Sequence, residues 1–278
     1  MAAAQPRLPT VRLALIGVTG RMGQALLHAA PAFPRILVTG AVASASSLAL
    51  GRDAGEVAGL APMNLGVTAD LRQALARADV ALDFSSGAAT GANLAACRAA
   101  RKPLLLGTTG FGGELAGELD AAAREIPLLV APNTSVAAAL LIELTRTAAR
   151  VLPPGFDIDI LDLHHRMKVD APSGTALALG RAAALGRGMP FEPFRAGDGT
   201  GTGGRPAGAI GFAALRAGDL VGEHTVLFSG AGEELRLTHR AAERGVFARG
   251  ALAAALWLAP QPPGRYGMGD FLGFKTAT

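Results

Sequence analysis

Cysteine is almost missing from this chain of 278 residues: the single Cys97, set among alanines on a helical stretch, permits no internal disulfide and suits a reducing cytosol. Aromatic residues are scarce too, at 5%, and no aromatic platform accompanies the scattered arginines. A net charge of +4 and an isoelectric point near 10.0 therefore do not point to nucleic acid. The same positive bias draws in dinucleotides and dicarboxylates. Half of the residues are hydrophobic and mean hydropathy is +0.34, but the excess is mostly alanine. No uninterrupted apolar segment is long enough to cross a bilayer, so a membrane partner is not expected. Residues 1–7 lack the hydrophobic stretch of a secretion signal and are expected to form a loose tail. No close group of ligands has a recognised spacing, so neither metal nor flavin is expected.

Lysine is also rare, occurring only as Lys102, Lys168 and Lys275 against 26 Lys and Arg together. In a chain whose default cation is arginine, Lys168 stands out. An ammonium can donate a proton or grip one carboxylate, whereas a guanidinium stays protonated and prefers a flat partner. The alternative is an exposed loop lysine. Upstream, 156–163 alternates apolar and acidic residues, the period of a half-buried strand, and places His164 and His165 at that strand's end. Neighbouring side chains on a strand face opposite ways, so the two histidines are expected to do different jobs. Downstream, Asp170-Ala171-Pro172-Ser173-Gly174-Thr175 gives way to helix formers. That junction reads as a helix start, with amides and the Ser173 and Thr175 hydroxyls able to hold a carboxylate, or as an ordinary cap.

Near the beginning, the apolar run 11–16 leads into Gly17-Val18-Thr19-Gly20-Arg21-Met22-Gly23 and then a helical stretch, 24–30. Strand, glycine turn and helix in that order bring backbone amides to a pyrophosphate. The spacing is G-x-x-G-x-x-G, which alone fits a structural turn equally well. Buried-strand candidates at 36–42, 80–84, 104–106 and 128–131 alternate with helical stretches near 71–78, 90–100 and 114–124. This pattern predicts an α/β fold with a Rossmann-like, doubly wound parallel sheet, whose ligands sit at the carboxyl ends of the strands. Those ends carry Asp83-Phe84-Ser85-Ser86, Gly107-Thr108-Thr109-Gly110 and Ala131-Pro132-Asn133-Thr134-Ser135, small or polar as a dinucleotide needs.

From Asp162 to Ala176 the chain reads D-L-H-H-R-M-K-V-D-A-P-S-G-T-A. This stretch, the glycine turn, the Gly107–Gly110 loop, Asn133 and Gly218-Asp219-Leu220-Val221-Gly222-Glu223-His224-Thr225 together resemble the 4-hydroxy-tetrahydrodipicolinate reductase (dihydrodipicolinate reductase) family over nearly the whole length. That family more often has glutamate at the position of Asp162. The resemblance implies reduction of the cyclic product of the preceding synthase to tetrahydrodipicolinate, with NADH or NADPH, in diaminopimelate and lysine synthesis, with release of water. It implies His164 and Lys168 as proton donors, and His165, Lys168, Gly174 and Thr175 as contacts to a small dicarboxylate substrate, with Ser173 lending its amide or hydroxyl. It implies a coenzyme site of Gly17, Val18, Thr19, Gly20, Arg21, Met22, Ser44, Gly107, Thr108, Thr109, Ala131, Pro132, Asn133 and Thr134. Many relatives carry an acid and an arginine where this chain has Ala43 and Ser44. With neither, use of both coenzymes is expected, with Arg21, Ser44 and Ser46 favouring NADPH slightly.

Residues 1–134 and 245–278 are expected to form the dinucleotide-binding domain. Residues 135–244 are expected to form a smaller α+β domain that binds substrate and drives oligomerisation. It should start with a long helix at 136–151 and continue, through the histidine strand, to alternating runs at 209–215, 224–228 and 234–238 that suggest a mixed or antiparallel sheet. The resemblance adds that this sheet is open and assembles a homotetramer in the cytoplasm, and that a last helix near 247–258 rejoins the first domain. The glycine-rich 197–205 reads as a mobile loop or plain linker, with Arg205 a minor candidate for capping a closed site. Two rival readings are another nicotinamide-dependent amino-acid oxidoreductase and a noncatalytic dinucleotide sensor.

Overall fold

A computed structural model of the chain describes residues 9–110, 112–191, 193–195, 205–206 and 208–274. The expected tail at 1–7, Lys275 and most of the glycine-rich loop lie outside the described residues. The chain divides into two compact units, Met1–Ser135 with Gly245–Thr278, and Val136–Arg244.

The first unit is built on a parallel sheet. Its strands are β1 (Val11–Ile16), β2 (Ile36–Val42), β3 (Val67–Thr68), β4 (Val80–Asp83), β5 (Leu104–Leu106), β6 (Pro127–Val130) and, late in the chain, β12 (Gly264–Tyr266), in the order β12-β6-β5-β4-β1-β2-β3. Every neighbouring pair is parallel. Parallel strands covered on both faces need apolar side chains on both, and β4 and β5 are buried at every position. On one face Ala14, Ile16, Leu104, Leu106 and Leu128 pack with Leu75 of α3 (Leu71–Ala76), Leu94 of α4 (Gly87–Ala99) and Leu119 of α5 (Ala116–Ala123). Each such leucine, fully buried, contributes roughly 1.5–3 kcal/mol. The other face is covered by α8 (Gly245–Leu258), which packs on β4, β5, β6 and on α1 (Arg21–Ala29). The alternation of apolar runs and helical stretches thus delivers the doubly wound sheet that it predicts.

The second unit has a mixed sheet. Strands β7 (Asp157–His164), β8 (Pro193–Arg195), β9 (Ile210–Arg216), β10 (Gly222–Ser229) and β11 (Glu234–Ala241) lie in the order β11-β10-β7-β9-β8. Strand β10 runs antiparallel to β7 and β11, whereas β9 is parallel to β7 and β8. The period-two pattern expected before the histidines is realised in β7: Ile158 and Ile160 face inward with Phe212, Val226 and Phe228, under Leu141 of α6 (Val136–Val151) and Leu179 of α7 (Gly174–Arg187). The helices cover that one face. The opposite face of β7 and β9 carries Leu161 and Leu215, 37% and 58% exposed.

Strands β3, β8 and β12 escape sequence reading. Each spans two or three residues, and unlike the equally short Leu104-Leu105-Leu106 of β5 none is a run of three apolar side chains, so nothing local announces it.

Candidate active site

In the first unit, the carboxyl ends of β6, β5, β4, β1 and β2 are neighbours along one edge of the sheet. Gly17 follows β1 at a φ of 84°, and a Cβ there would sit 2.6 Å from the Phe84 carbonyl oxygen. A Cβ on Gly23 would press on the Gly17 carbonyl oxygen. Only glycines let this turn close. The amides of Gly17 and Val18 both donate to the Val42 carbonyl at 2.9 Å, tying the turn to the end of β2. Helix α1 then starts at Gly20 with no side-chain cap. Its first amides have no intrahelical acceptor and stand at the positive end of the helix, which fits the pyrophosphate of a dinucleotide.

Thr19, Gly20 and Arg21 are exposed on this turn, and Met22 is half-buried. Val18 is fully buried, so its part is to brace the turn. Ser44, exposed beyond β2, has its hydroxyl 3.2 Å from that of Ser46. At the ends of β4 and β5 the organiser is Asp83, which the sequence reading left out of the site. Its buried carboxylate accepts from the Ser85 amide at 2.9 Å, the Ser85 hydroxyl at 2.6 Å and the Asn93 side chain at 3.0 Å. The amides of Gly107 and Thr108 donate to the Asp83 carbonyl at 2.9 and 3.1 Å, and the Thr108 hydroxyl turns to it as well. Thr108 is therefore spent on joining the two strand ends, while Thr109 next to it is exposed. After β6, Ala131 is buried, Pro132 exposed and Asn133 half-buried, its Oδ1 accepting from the Ser135 amide at 2.9 Å. The Thr134 hydroxyl donates to the Phe247 carbonyl at 2.7 Å and holds the loop to the chain as it enters α8.

In the second unit the histidine strand ends in a charged cluster. Asp162 and His164, two apart on β7, share the inward face. His224 lies opposite Asp162 on β10. All three are buried. His164 Nδ1 is 2.9 Å from Asp162 Oδ1, a close but oblique approach of the kind an ion pair tolerates, and His224 Nε2 is 3.4 Å from the same oxygen. Asp162 Oδ2 accepts from the Ser173 amide at 2.7 Å and from Arg216 Nη2 at 2.9 Å. Burial by itself would raise the Asp162 carboxyl; the contacts from His164, His224 and Ser173 outweigh it and hold the group far below the usual carboxylate range. His239 stacks on His224 with ring centroids 6.4 Å apart, and burial followed by the neighbouring His224 lowers its pKa.

Asp162, His164 and His224 place ligand atoms within 4.8 Å of one another. The Arg216 guanidinium bonded to the same carboxylate opposes a divalent cation there.

Arg216 also donates to the carbonyls of Asp162 at 3.0 Å and Asp170 at 2.6 Å, so it ties the loop after β7 back to that strand. His165 is half-buried in this loop. The Lys168 ammonium donates to Asp170 Oδ1 at 2.8 Å; burial raises the Asp170 carboxyl, but the lysine bond and charge bring it net downward. Gly174 and Thr175 open α7, Gly174 exposed. Ser173 is different. Its hydroxyl accepts from the Ala176 amide at 3.2 Å and meets His224 Nε2 at 3.2 Å, and its amide is taken by Asp162. In this structure the Ser173 amide and hydroxyl both have partners inside the protein.

Arg205 donates to Asp159 Oδ1 at 2.7 Å and to the Ile158 and Ala209 carbonyls, at the end of β7 away from His164, contacts that pin the sheet. Arg216 and His224 join the cluster through cross-strand register; His224 lies in the Gly218–Thr225 stretch that carries the resemblance, whereas nothing around Arg216 in the sequence announces it.

A parallel sheet with a glycine-lined dinucleotide cradle, in one chain with a mixed sheet bearing buried histidines, a lysine and a helix N-terminus, defines a two-domain nicotinamide-dependent oxidoreductase. The family profiles "Dihydrodipicolinate reductase, N-terminus" and "Dihydrodipicolinate reductase, C-terminus" match residues 11–134 and 137–272. The chain belongs to the dihydrodipicolinate reductase family. It is 49% identical to the 4-hydroxy-tetrahydrodipicolinate reductase of Alkalilimnicola ehrlichii, over 95% of this chain and 99% of that protein. It is 48% identical to the protein of the same name from Methylocella silvestris, over 95% and 97%. Among solved structures, dipicolinate-bound dihydrodipicolinate reductase from Paenisporosarcina sp. TG-14 superposes with a TM-score of 0.74 at 23% identity, covering 94% of this chain and 99% of that one. GenD2 from gentamicin A biosynthesis, in complex with NAD, gives 0.62 at 15% identity, covering 97% and 93%. At such identities these two structures speak for the fold.

Proposed function

We propose that this chain reduces 4-hydroxy-tetrahydrodipicolinate to tetrahydrodipicolinate with NADH or NADPH, in the diaminopimelate and lysine biosynthetic pathway. The observation that carries this reading is near-full-length identity of 49% to a protein of that name, in a chain that holds the His164, His165 and Lys168 cluster ahead of Ser173-Gly174-Thr175. Overall, one hydride and one proton enter the substrate and one water leaves. The bound coenzyme supplies the hydride.

The chain's own residues supply the rest. His164 delivers the proton that the electron-rich ring system needs after hydride addition, the work of a general acid. Lys168, His165 and the α7 amides at Gly174 and Thr175 hold the carboxylates of the substrate, and Lys168 serves as a second proton source. The turn from Gly17 to Met22, Ser44, Gly107, Thr109 and the loop from Ala131 to Asn133 hold the coenzyme, with Val18, Thr108 and Thr134 shaping that edge from beneath. Lacking an acid or an arginine at Ala43 and Ser44, the site accepts both coenzymes.

We place the enzyme in the cytoplasm, where its coenzymes are held, and as a homotetramer assembled through the uncovered face of the second sheet. Leu161 and Leu215 on that face support the assembly, because apolar side chains on an open sheet are best covered by another copy.

The decisive experiment follows coenzyme oxidation when the product of the preceding synthase is added, with NADH and NADPH in parallel. Oxidation that depends on that product is expected, with the two coenzymes within about a hundredfold in kcat/KM, a difference of about 2.7 kcal/mol or less. Activity only with another amino or keto acid, or binding without turnover, would reject the reading. A larger coenzyme preference would reject dual use alone.

A further inference from the structure

We infer that Asp162 is the positioning residue of the proton donor: a buried carboxylate that fixes which nitrogen of His164 faces the reaction, itself locked in place by Arg216 and the Ser173 amide. The inference rests on the function proposed above and goes beyond it by assigning a task to side chains that touch neither substrate nor coenzyme.

The two oxygens of Asp162 are held differently. Oδ2 is held by an amide at 2.7 Å and a guanidinium at 2.9 Å, so the carboxylate cannot rotate freely, and Oδ1, without an aligned hydrogen bond, lies at ion-pair distance from His164 Nδ1, 2.9 Å, and from His224 Nε2, 3.4 Å. The nearer imidazole is His164, through Nδ1. Which nitrogen of a histidine carries its proton is set by the partner of the other nitrogen. With an ionised carboxylate at Nδ1, that nitrogen keeps its proton, and Nε2 becomes the edge that gives a proton up. The His164 side chain is 10% exposed, and that exposure is not at Nδ1, which is fully buried.

The opposite strand leaves room for this arrangement. Gly222 opens β10, next to the Glu223 that pairs with Leu163, and a Cβ there would lie 2.9 Å from His164 Nε2. The close approach, rather than any unusual backbone angle, requires glycine at this position. The remaining groups facing the ring are Asp162 on its own strand, Arg216 from β9, His224 from β10 with its ring centroid 5.1 Å away, and His239 from β11 beyond that. The proton balance is simple. His164 starts doubly protonated, loses the Nε2 proton to the substrate, and remains as the Nδ1–H form facing Asp162 until solvent restores the proton.

Because Asp162 also anchors the start of α7, a drop in activity alone would not separate positioning from structure. The test therefore combines kinetics with nitrogen-15 NMR of the histidine rings, His164 being assigned by its loss in His164→Gln. In the wild-type protein above the titration of the ring, His164 is expected as the Nδ1–H tautomer. In Asp162→Asn the ring is expected to become a mixture of tautomers while kcat falls about 10–100-fold and KM stays within about threefold. In Gly222→Ala the tautomer is expected to stay as in the wild type while kcat falls, since only the Nε2 edge is obstructed. A wild-type His164 protonated at Nε2 would overturn the inference without any variant. So would Asp162→Asn with unchanged kcat, with an unchanged tautomer, or with a loss confined to KM. Should Asp162→Asn not fold, the wild-type spectrum and Gly222→Ala decide. Failure of the wild type to reduce its proposed substrate would overturn the function, while the tautomer measurement stands independently of it.

Discussion

A carboxylate as deeply buried as Asp162 would ordinarily drift toward its neutral form, and two imidazoles, an amide and a guanidinium prevent it. A group whose folded pKa lies below its unfolded value, about 3.9 for aspartate, stabilises the fold fully above that value and loses the contribution as pH falls beneath it. The stability advantage of the wild type over Asp162→Asn, measured by urea unfolding, should be constant near neutrality and shrink below about pH 4. An advantage that grows with acidity would contradict the ionised assignment. At the same scale, His164→Gln should lower kcat by roughly 10²–10⁴-fold with little change in KM, as expected of an acid used in the transition state. Lys168→Ala should differ. It removes a half-exposed charged grip, so KM should rise and kcat/KM fall by about 1.5–3 kcal/mol in steady-state kinetics.

At the scale of elements, Ser173 sits where β7, β10 and α7 meet. Its hydroxyl caps α7 and touches His224, so Ser173→Ala should cost about 0.5–2 kcal/mol of stability in thermal or urea unfolding. Its KM for substrate should stay near the wild-type value if these internal bonds are its whole role; a large rise in KM with unchanged stability would place Ser173 among the substrate contacts. The longer elements were legible because their patterns are local. Helix α6 and strands β1, β2 and β5 fall on the expected bounds, and the alternation in 156–163 marks β7 to within a residue. Val67–Thr68 and Pro193–Arg195 were not legible, since neither shows the apolar run that marks the equally short Leu104–Leu106. Nor was the partnership of Asp162 with Arg216 and His224. Fifty or more residues separate them in the chain, and only the register of β9 and β10 against β7 sets them side by side.

For the whole molecule, the uncovered sheet face is the feature that one copy of the chain leaves unresolved. The homotetramer proposed above predicts that Leu215→Asp together with Leu161→Asp shifts the protein to smaller species in sedimentation velocity, because each charge would have to be desolvated in that interface. Secondary structure by circular dichroism should stay near the wild-type level. A tetramer that survives both substitutions would place the interface elsewhere.

Read as a string, the chain already implied an α/β sheet, a glycine turn for a dinucleotide and a His-His-Lys segment running into a helix start, because each is written in neighbouring residues and local sterics. What had to await the folded chain is which groups remain available for chemistry. Ser173, Thr108 and Arg205 carry suitable atoms that folding also engages in internal bonds, while Asp83, Arg216 and Gly222 find their contacts among residues of other strands and loops. The physical reason is that availability depends on desolvation and on partners, and both are properties of three-dimensional packing.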